Sequence, residues 1–497
     1  MELILAIDQG TTGSTVSIVD TDLNIHAQHD VDFKQIFPKP GWVEHNPDHI
    51  WQSVTLAMRG ALAKLKRKSP NIVGIGITNQ RETSCFWNRK TGEPLSNAIV
   101  WQDRRTTDLC DELRKKGLEP QISKSTGLLI DPYFSASKIL WSLKHNPNVS
   151  RAAKRGELAF GTIDSYLVHR LTGGRVHITE PSNASRTMLF DLRSNEWNRD
   201  LCRIFQISVD SLPLVVNSFS ESFGKTYGVK ELPNGIPITG VLGDQQSALL
   251  GQACVKSGQA KCTFGTGSFI LMNTGPRIVR SKHRLLTTVA WRWNDVSTYA
   301  LEGGAFTAGA AVQWVRDGLE LIPNSPAIEA LARTVDTTDG VIFVPAFTGI
   351  GAPYWDPEAR AGMLGCTRGT TKAHVARAVL EGIAHMNVEI LEAMKKDSKL
   401  PLRSLNVDGG ASQNTLLMQM QADALNCSLV RPKIIETTSL GAVFAAGLGA
   451  GVWRDFSAIE KAWKKDCVFQ PRIKSLDRKK SELRWKRAVK AVRLFGS

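Results

Sequence analysis

At 497 residues the chain is long enough for two or three domains with cores of their own, and 42% hydrophobic residues with 41 glycines suit an α/β enzyme. Eight cysteines, at 85, 110, 202, 254, 262, 366, 427 and 467, form no CxxC pair, which speaks against a disulfide framework or a zinc site and for a reducing, cytoplasmic compartment. The formal charge is +15, yet residues 471–497 alone hold ten Lys and Arg against Asp477 and Glu482, a net +8 on what reads as a solvated helix with no aromatic-rich nucleic-acid motif beside it.

The first apolar run is Leu3-Ile-Leu-Ala-Ile7, too short and without the basic leader of a signal peptide. It reads as a buried strand, residues 16–19 as a second, and Asp8-Gln-Gly-Thr-Thr-Gly-Ser-Thr15 as the turn of a hairpin between them. Backbone N–H groups at Gly10 and Gly13, with the hydroxyls of Thr11 and Thr12, are of the right kind to hold phosphate oxygens, and Asp8 to organise Mg²⁺ through water. By itself this turn is equally an ordinary Gly- and Thr-rich hairpin. Asn46-Pro-Asp48 then starts a helix, because Ile50, Val54, Met58, Ala61 and Leu65 follow at helical spacing.

Residues 72–77 form a continuous apolar run of the buried parallel type, ending in Asn79, Gln80, Arg81 and Glu82. Ligands of open α/β sheets gather at the carboxyl ends of strands, and an adjacent Arg and Glu supply donors and an acceptor suited to vicinal hydroxyls. As a bare dipeptide they read as a surface ion pair. Residues 97–100 lead to Trp101, whose ring is suited to wall a pocket, and Tyr133 stands on a loop before a helix over residues 135–144. No run approaches 18 uninterrupted apolar residues, so no membrane span is expected.

Phe223-Gly-Lys-Thr226 imitates the end of a Walker A loop, but Phe219 stands where glycine is required. The apolar run over residues 236–242 delivers Gly243, Asp244, Gln245 and Gln246 to the start of a small-residue helix. Asp244 at a strand end is placed for general-base work, the competing reading being an N-cap. A second strand–turn–strand spans residues 260–272, with Thr266 and Gly267 at its turn. Residues 405–407 form a strand, Gly409-Gly410 permits close approach, and a helix from Asn414 offers free N–H groups. Two such hairpins imply two similar domains, drawn as residues 1–250 and 251–497.

The stretches Ile7-Asp-Gln-Gly-Thr-Thr12, Asn79-Gln-Arg-Glu-Thr83, Asp131-Pro-Tyr-Phe-Ser-Ala136, Ser182-Asn-Ala-Ser-Arg-Thr-Met-Leu-Phe190, Gly243-Asp-Gln-Gln246, Phe264-Gly-Thr-Gly267, Ala300-Leu-Glu-Gly303, Ala346-Phe-Thr-Gly-Ile-Gly-Ala-Pro-Tyr-Trp355 and Val407-Asp-Gly-Gly-Ala411 together resemble the FGGY carbohydrate kinases, and within them the glycerol kinases. The resemblance implies an α/β fold of two actin-like, ribonuclease H-like domains facing a central cleft for nucleotide and substrate. It implies ATP-dependent phosphorylation of glycerol to sn-glycerol 3-phosphate, with Asp244 as base. Arg81, Glu82, Tyr133 and Gln245 would bind the hydroxyls, while Trp101 and Phe269 pack on the carbon chain. ATP and Mg²⁺ would lie against Asp8, Thr12, Thr266, Gly267, Gly309, Gln313, Gly410 and Asn414, in a homodimer or homotetramer that binds no nucleic acid.

Three departures stand out from the family's pattern. Thr15 replaces an arginine that touches phosphate, with Lys261 and Lys256 as candidates to supply the charge, and Glu180 and Tyr166 replace a common Asp and Trp. The alternatives are a kinase for another small polyol or ketose and, since the arginine is missing, a nucleotide-binding protein without catalysis. The stretch Tyr227-Gly-Val-Lys-Glu-Leu-Pro-Asn-Gly235 corresponds to a loop that grips fructose-1,6-bisphosphate in some relatives. With one Lys230 offset by Glu231, and no His from 201 to 282 to accept phosphate, insensitivity to both regulators is expected.

Overall fold

A computed structural model describes residues 1–65 and 70–496. Its first sheet is built from Glu2–Gln9 (β1), Gly13–Asp20 (β2), Ile25–Asp32 (β3), Asn71–Asn79 (β4) and Ile238–Gly243 (β5), in the order β5-β4-β1-β2-β3. β1 runs antiparallel to β2, with Asp8 opposite Thr15, and parallel to β4, with Asp8 opposite Thr78. The carboxyl ends of β1, β4 and β5 therefore lie side by side, and each delivers one of the polar clusters read from the sequence.

The apolar strands are continuous because helices cover both faces. Helix α1, Pro47–Lys64, is capped by Asn46, whose Oδ1 accepts from the Asp48 amide at 2.8 Å. It buries Ile50, Val54, Ala57, Met58 and Ala61 in a core with Leu3, Leu5, Ile7, Val16 and Ile18. Ser135–His145 (α2) follows the Tyr133 loop, and Asp244–Gly251 (α3) follows β5 without an intervening residue.

The second sheet comprises Ala260–Phe264 (β6), Ser268–Gly275 (β7), Leu286–Trp293 (β8), Val296–Ala305 (β9), Ser404–Asp408 (β10), Ser428–Pro432 (β11) and Lys465–Phe469 (β12). Its order is β8-β9-β7-β6-β10-β11-β12. The inner five, β11-β10-β6-β7-β9, repeat the order and the strand directions of the first sheet. This is the two-domain, actin-like α/β architecture that the hairpins announced.

Helices Lys372–Ser398 (α4) and Thr415–Leu425 (α5) pack into the core of the second sheet. Thr437–Gly449 (α6) follows them in sequence but lies on the first sheet. Ala442, Val443, Ala445 and Ala446 share a core with Ile4, Ala6 and Leu242, and any side chain at Gly76 would collide with the Ala442 carbonyl. The chain therefore does not divide at one point, because α6 returns to the first half.

Helix α7, Ser475–Gly496, departs from the expected solvated helix. Trp485, Ala488, Val489 and Val492 follow at 3, 1 and 3 residues and are buried, Trp485 stacking on His385 with ring centroids 5.2 Å apart. Leu483, on the opposite face, is 60% exposed. Among the described residues no helix is long and apolar enough to cross a membrane, and all eight cysteines are free thiols.

Candidate active site

At the end of β4 the chain turns through Arg81 and Glu82, and Glu82 adopts a left-handed backbone with φ 60°. The turn is secured by its carbonyl, which accepts from Ser84 Oγ at 3.1 Å and from Ser135 Oγ at 3.0 Å. Neither side chain is on the surface: Arg81 is 2% exposed and Glu82 1%. The surface-pair reading therefore fails, and the two are not even each other's main partner, standing 3.9 Å apart.

Arg81 instead grips Glu302 of β9 with both terminal nitrogens, at 2.6 and 2.9 Å, and gives a further bond to Gln246 at 3.2 Å. Glu82 accepts from Arg186 Nε at 2.6 Å, and Arg186 Nη2 reaches Glu302 at 3.0 Å. Burial opposes charge on Glu302, but Arg186 and Arg81 overcome it and hold the carboxyl at about 2. On Glu82 burial wins over the same two cations and its pKa is raised. The cluster joins the first domain to the second through buried, charge-assisted hydrogen bonds.

Asp244 opens α3, with Gly243 in the cap position, so its carboxylate is not the helix cap. Its Oδ1 accepts from the Gln245 amide at 2.6 Å and lies 3.0 Å from Arg81 Nε. That nitrogen is close to the carboxylate but not aligned for a hydrogen bond, and Arg186 Nη1 is buried without an acceptor among the described residues. The cluster thus holds two buried guanidinium donors without acceptors among the described residues, one of them beside the one-third exposed carboxylate of Asp244. Any side chain at Gly243 would press on Arg81, its Cβ coming 2.7 Å from Cγ and Cδ.

Aromatic rings wall the same space. Trp101 and Tyr133 pack edge to face with centroids 5.7 Å apart, the Tyr133 hydroxyl 3.5 Å from Arg81 Nη2. The Trp101 indole donates to Thr11 Oγ1 at 3.0 Å, which ties the wall to the first hairpin turn. Half-buried Phe269 on β7 lies over Gly304, where a Cβ would stand 3.0 Å from its ring. Gln245 accepts from Lys261 Nζ at 2.5 Å, and Lys261 also donates to Thr263 at 2.8 Å. Lys261 is thus a buried cation in the cleft, its pKa lowered by that burial, whereas Lys256 is exposed and paired with Glu460.

At the first hairpin, Asp8 accepts from Ser439 Oγ of α6 at 2.8 Å. Burial pushes its carboxyl up to about 6, Asp244 and Asp30 adding to the rise and Ser439 opposing it. Gly13 is required sterically, since a Cβ would come 2.7 Å from Asp32 Oδ1. Thr12 is exposed in the turn, and Thr15 is held to Asp30 at 2.7 Å. In the second hairpin Thr266 is exposed, and its carbonyl accepts from the amides of Ala308 and Ala310 at 2.8 and 3.0 Å. Gly267 packs under the Ala305 carbonyl, a Cβ there coming within 2.5 Å.

The Gly309 amide is already given to Gly265, 2.9 Å away, so this glycine serves by letting Gly309–Gln313 approach the turn; Gln313 at its end is exposed. Gly409 abuts the Phe264 carbonyl, which places open, exposed Gly410 beside the same turn. Asn414 is the N-cap of α5, accepting from Leu417 at 2.9 Å. Among the described residues no group of three or more His, Cys, Asp or Glu is placed to hold a metal.

Glu302, Arg186 and Gln246 were not singled out from the sequence. The signal was present: a lone Glu in Ala300-Leu-Glu-Gly303 and a lone Arg in Ser182-Asn-Ala-Ser-Arg-Thr-Met interrupt otherwise small or apolar runs. Glu180 caps the short helix Pro181–Ala184 and Tyr166 packs on Trp87, so both departures are structural. At residues 227–235 the expectation fails in detail. Glu231 pairs with Arg59 at 2.7 Å rather than with Lys230, and Arg175 from another segment stacks on Tyr227.

The model of the FGGY family of carbohydrate kinases, N-terminal domain, matches residues 3–251, and that of its C-terminal domain residues 260–450. Glycerol kinase of Bdellovibrio bacteriovorus is 54% identical over 490 residues, covering 98% of this chain and 99% of its own. Glycerol kinase of Myxococcus xanthus is 51% identical, with 98% of each chain covered. The crystal structure of Plasmodium falciparum glycerol kinase with ADP is 39% identical and superposes with a TM-score of 0.93 over 99% of this chain and 98% of that one. Xylulose kinase from Rhodospirillum rubrum, at 20% identity and a TM-score of 0.87, shares the fold.

Proposed function

The chain belongs to the FGGY family of carbohydrate kinases, and from that premise we propose that it transfers the γ-phosphoryl group of ATP to a terminal hydroxyl of glycerol, giving sn-glycerol 3-phosphate. The observation that carries the reading is the buried Arg81–Glu82 turn with Asp244 Oδ1 3.0 Å from Arg81 Nε, walled by Trp101 and Tyr133. A three-carbon triol offers what that pocket asks for: hydroxyls for the free guanidinium donors and for Glu82, and a short carbon face for the rings.

Asp244 takes the proton of the hydroxyl as its oxygen attacks phosphorus and the bond to the ADP oxygen breaks. Arg81 orients that carboxylate and the substrate together, and Glu302 fixes Arg81. Lys261, held by Gln245 and Thr263, supplies the cation that Thr15 lacks. The hairpin turns at residues 10–13 and 265–267 hold the phosphates, with Gly410 and Asn414 on the adenosine side. Asp8 fits Mg²⁺: a half-buried carboxyl raised to about 6 by desolvation, with Asp244 and Asp30 near it, gains from a cation. The ion, when bound, offsets phosphate charge. The lobes 1–250 and 251–497, with α6 crossing back, close over the cleft and exclude water.

Coupled release of ADP with and without glycerol tests the reading, with xylulose, ribulose and erythritol in parallel. Turnover dependent on glycerol and slower on the other three is the expected result. Preference for a ketose overturns the assignment. Light scattering tests the homodimer or homotetramer that goes with it, in a cytoplasmic setting where ATP is supplied.

A further inference from the structure

The feature that the kinase reaction leaves unused is the outward face of α7, which lies beyond residue 450, where the second family model ends. Its inner face is occupied by Trp485, Ala488, Val489 and Val492. Opposite them stand Leu476, 64% exposed, Leu483, 60%, and Leu494, 65%. Spacings of 7 and 11 residues at about 100° per residue bring the three within about 20° of one another, so they form one stripe along the helix. Phe495, 85% exposed, stands at the same end about 100° round the helix from Leu494.

Cations flank the stripe on both sides. Lys479 and Lys490 lie to one side of the leucines, Lys480 and Arg487 to the other, all four exposed and none in an ion pair among the described residues. Lys486 and Arg493, by contrast, are paired with Glu482 and Asp356. We propose that this face docks the enzyme on an anionic lipid surface, the leucines and Phe495 entering the boundary between headgroups and acyl chains while Lys479, Lys480, Arg487 and Lys490 meet lipid phosphates.

Charge complementarity selects that occupant. A second copy of the same face would bring like charges together, and a nucleic acid would leave the leucines against a polar backbone. An interfacial helix with Lys and Arg beside an apolar stripe satisfies both parts at once. The helix is already folded and anchored by its inner face, so docking orders no new segment and leaves the cleft residues where they are.

Cosedimentation of the full chain with vesicles of phosphatidylcholine alone, and of phosphatidylcholine mixed with phosphatidylglycerol, tests this. Binding is expected to the mixed vesicles only, and to weaken with salt as the Debye length falls below about 10 Å. Lys480→Gln and Lys490→Gln should each lower partitioning about fivefold, and Leu476→Glu with Leu483→Glu should abolish it. Turnover on glycerol in lipid-free solution should stay unchanged in every variant, which separates a failure of docking from a failure of the kinase assignment. Equal binding to both vesicle types overturns the proposal. So does a leucine variant that changes the oligomeric state in sedimentation velocity while still binding vesicles, or a preference for duplex DNA that survives the leucine changes.

Discussion

Asp244 owes its placement to a glycine before it and an arginine beside it, and each contact is testable at one atom. Asp244→Asn keeps the size of the side chain and its acceptor oxygen for the Gln245 amide, but cannot take a proton. We expect kcat to fall about 10²–10⁴-fold with glycerol KM nearly unchanged, measured by coupled ADP release. A near-normal kcat would move the base elsewhere. Arg81→Ala leaves Glu302 with Arg186 alone, and Glu82→Ala leaves Arg186 with Glu302 alone, so each should raise glycerol KM far more than ATP KM; the loss is about 1–3 kcal/mol, more because the groups are charged and buried. Equal damage to both substrates would remove the pocket assignment. Residue identities such as Arg81, Glu82 and Asp244 were legible because they follow apolar strands. Glu302 was not, because its partners lie 221 and 116 residues away in sequence and only the closed sheet geometry brings them together.

The two hairpins are the elements proposed to hold phosphate, and here strand register decides what the sequence left open. Thr15 on β2 faces Asp30 on β3. An arginine there would neutralise Asp30 and stand beside the turn, so Thr15→Arg should tighten MgATP by about 1.5–3 kcal/mol, read as a lower KM. No change in a folded variant would show that Lys261 already suffices. Asp8 on β1 gives a prediction of opposite sign for stability and activity. Its carboxyl is raised to about 6, so the folded protein holds a proton there that the unfolded chain has lost. The stability this contributes is present at low pH and is lost as pH rises through about 6. Asp8→Asn should therefore stabilise the ligand-free protein at pH 7 by about 1–3 kcal/mol, read as a higher Tm, with the gain shrinking at pH 5, while MgATP use collapses. A Tm lowered at pH 7 would mean that the Ser439 bond outweighs the cost of burial. Strand–turn–strand patterns made both hairpins readable; the spent Gly309 amide was not, since a glycine in sequence does not say whether its N–H or its missing Cβ is the reason for it.

At the scale of the whole molecule the same strand order appears twice, of which the two strand–turn–strand patterns in the sequence announced only that there would be two similar domains. The course of α6 was hidden, because an alanine- and glycine-rich helix carries no mark of which sheet it will cover; the small residues at 74, 76 and 240 that receive it lie in the other half of the chain. The lobes are tied along an extended seam, which includes α6 on the first sheet, Ser439 on Asp8, Lys261 on Gln245, and Glu302 on Arg81 and Arg186. The Glu302 cluster holds Arg81 beside Asp244, so filling the proposed polyol pocket and holding this part of the seam together are coupled. Glu302→Gln keeps one acceptor and the volume but removes the charge that two buried guanidinium groups share. Without that charge Arg81 and Arg186, both of the first lobe, lose their ion pairs to the second, and the lobes should part. Small-angle scattering of the ligand-free variant should give a larger radius of gyration than the parent, with saturating glycerol recovering part of the difference and glycerol KM raised more than ATP KM. An unchanged radius with an unchanged glycerol KM would mean that Glu302 only balances charge, and that closure is governed by α6 and the nucleotide alone.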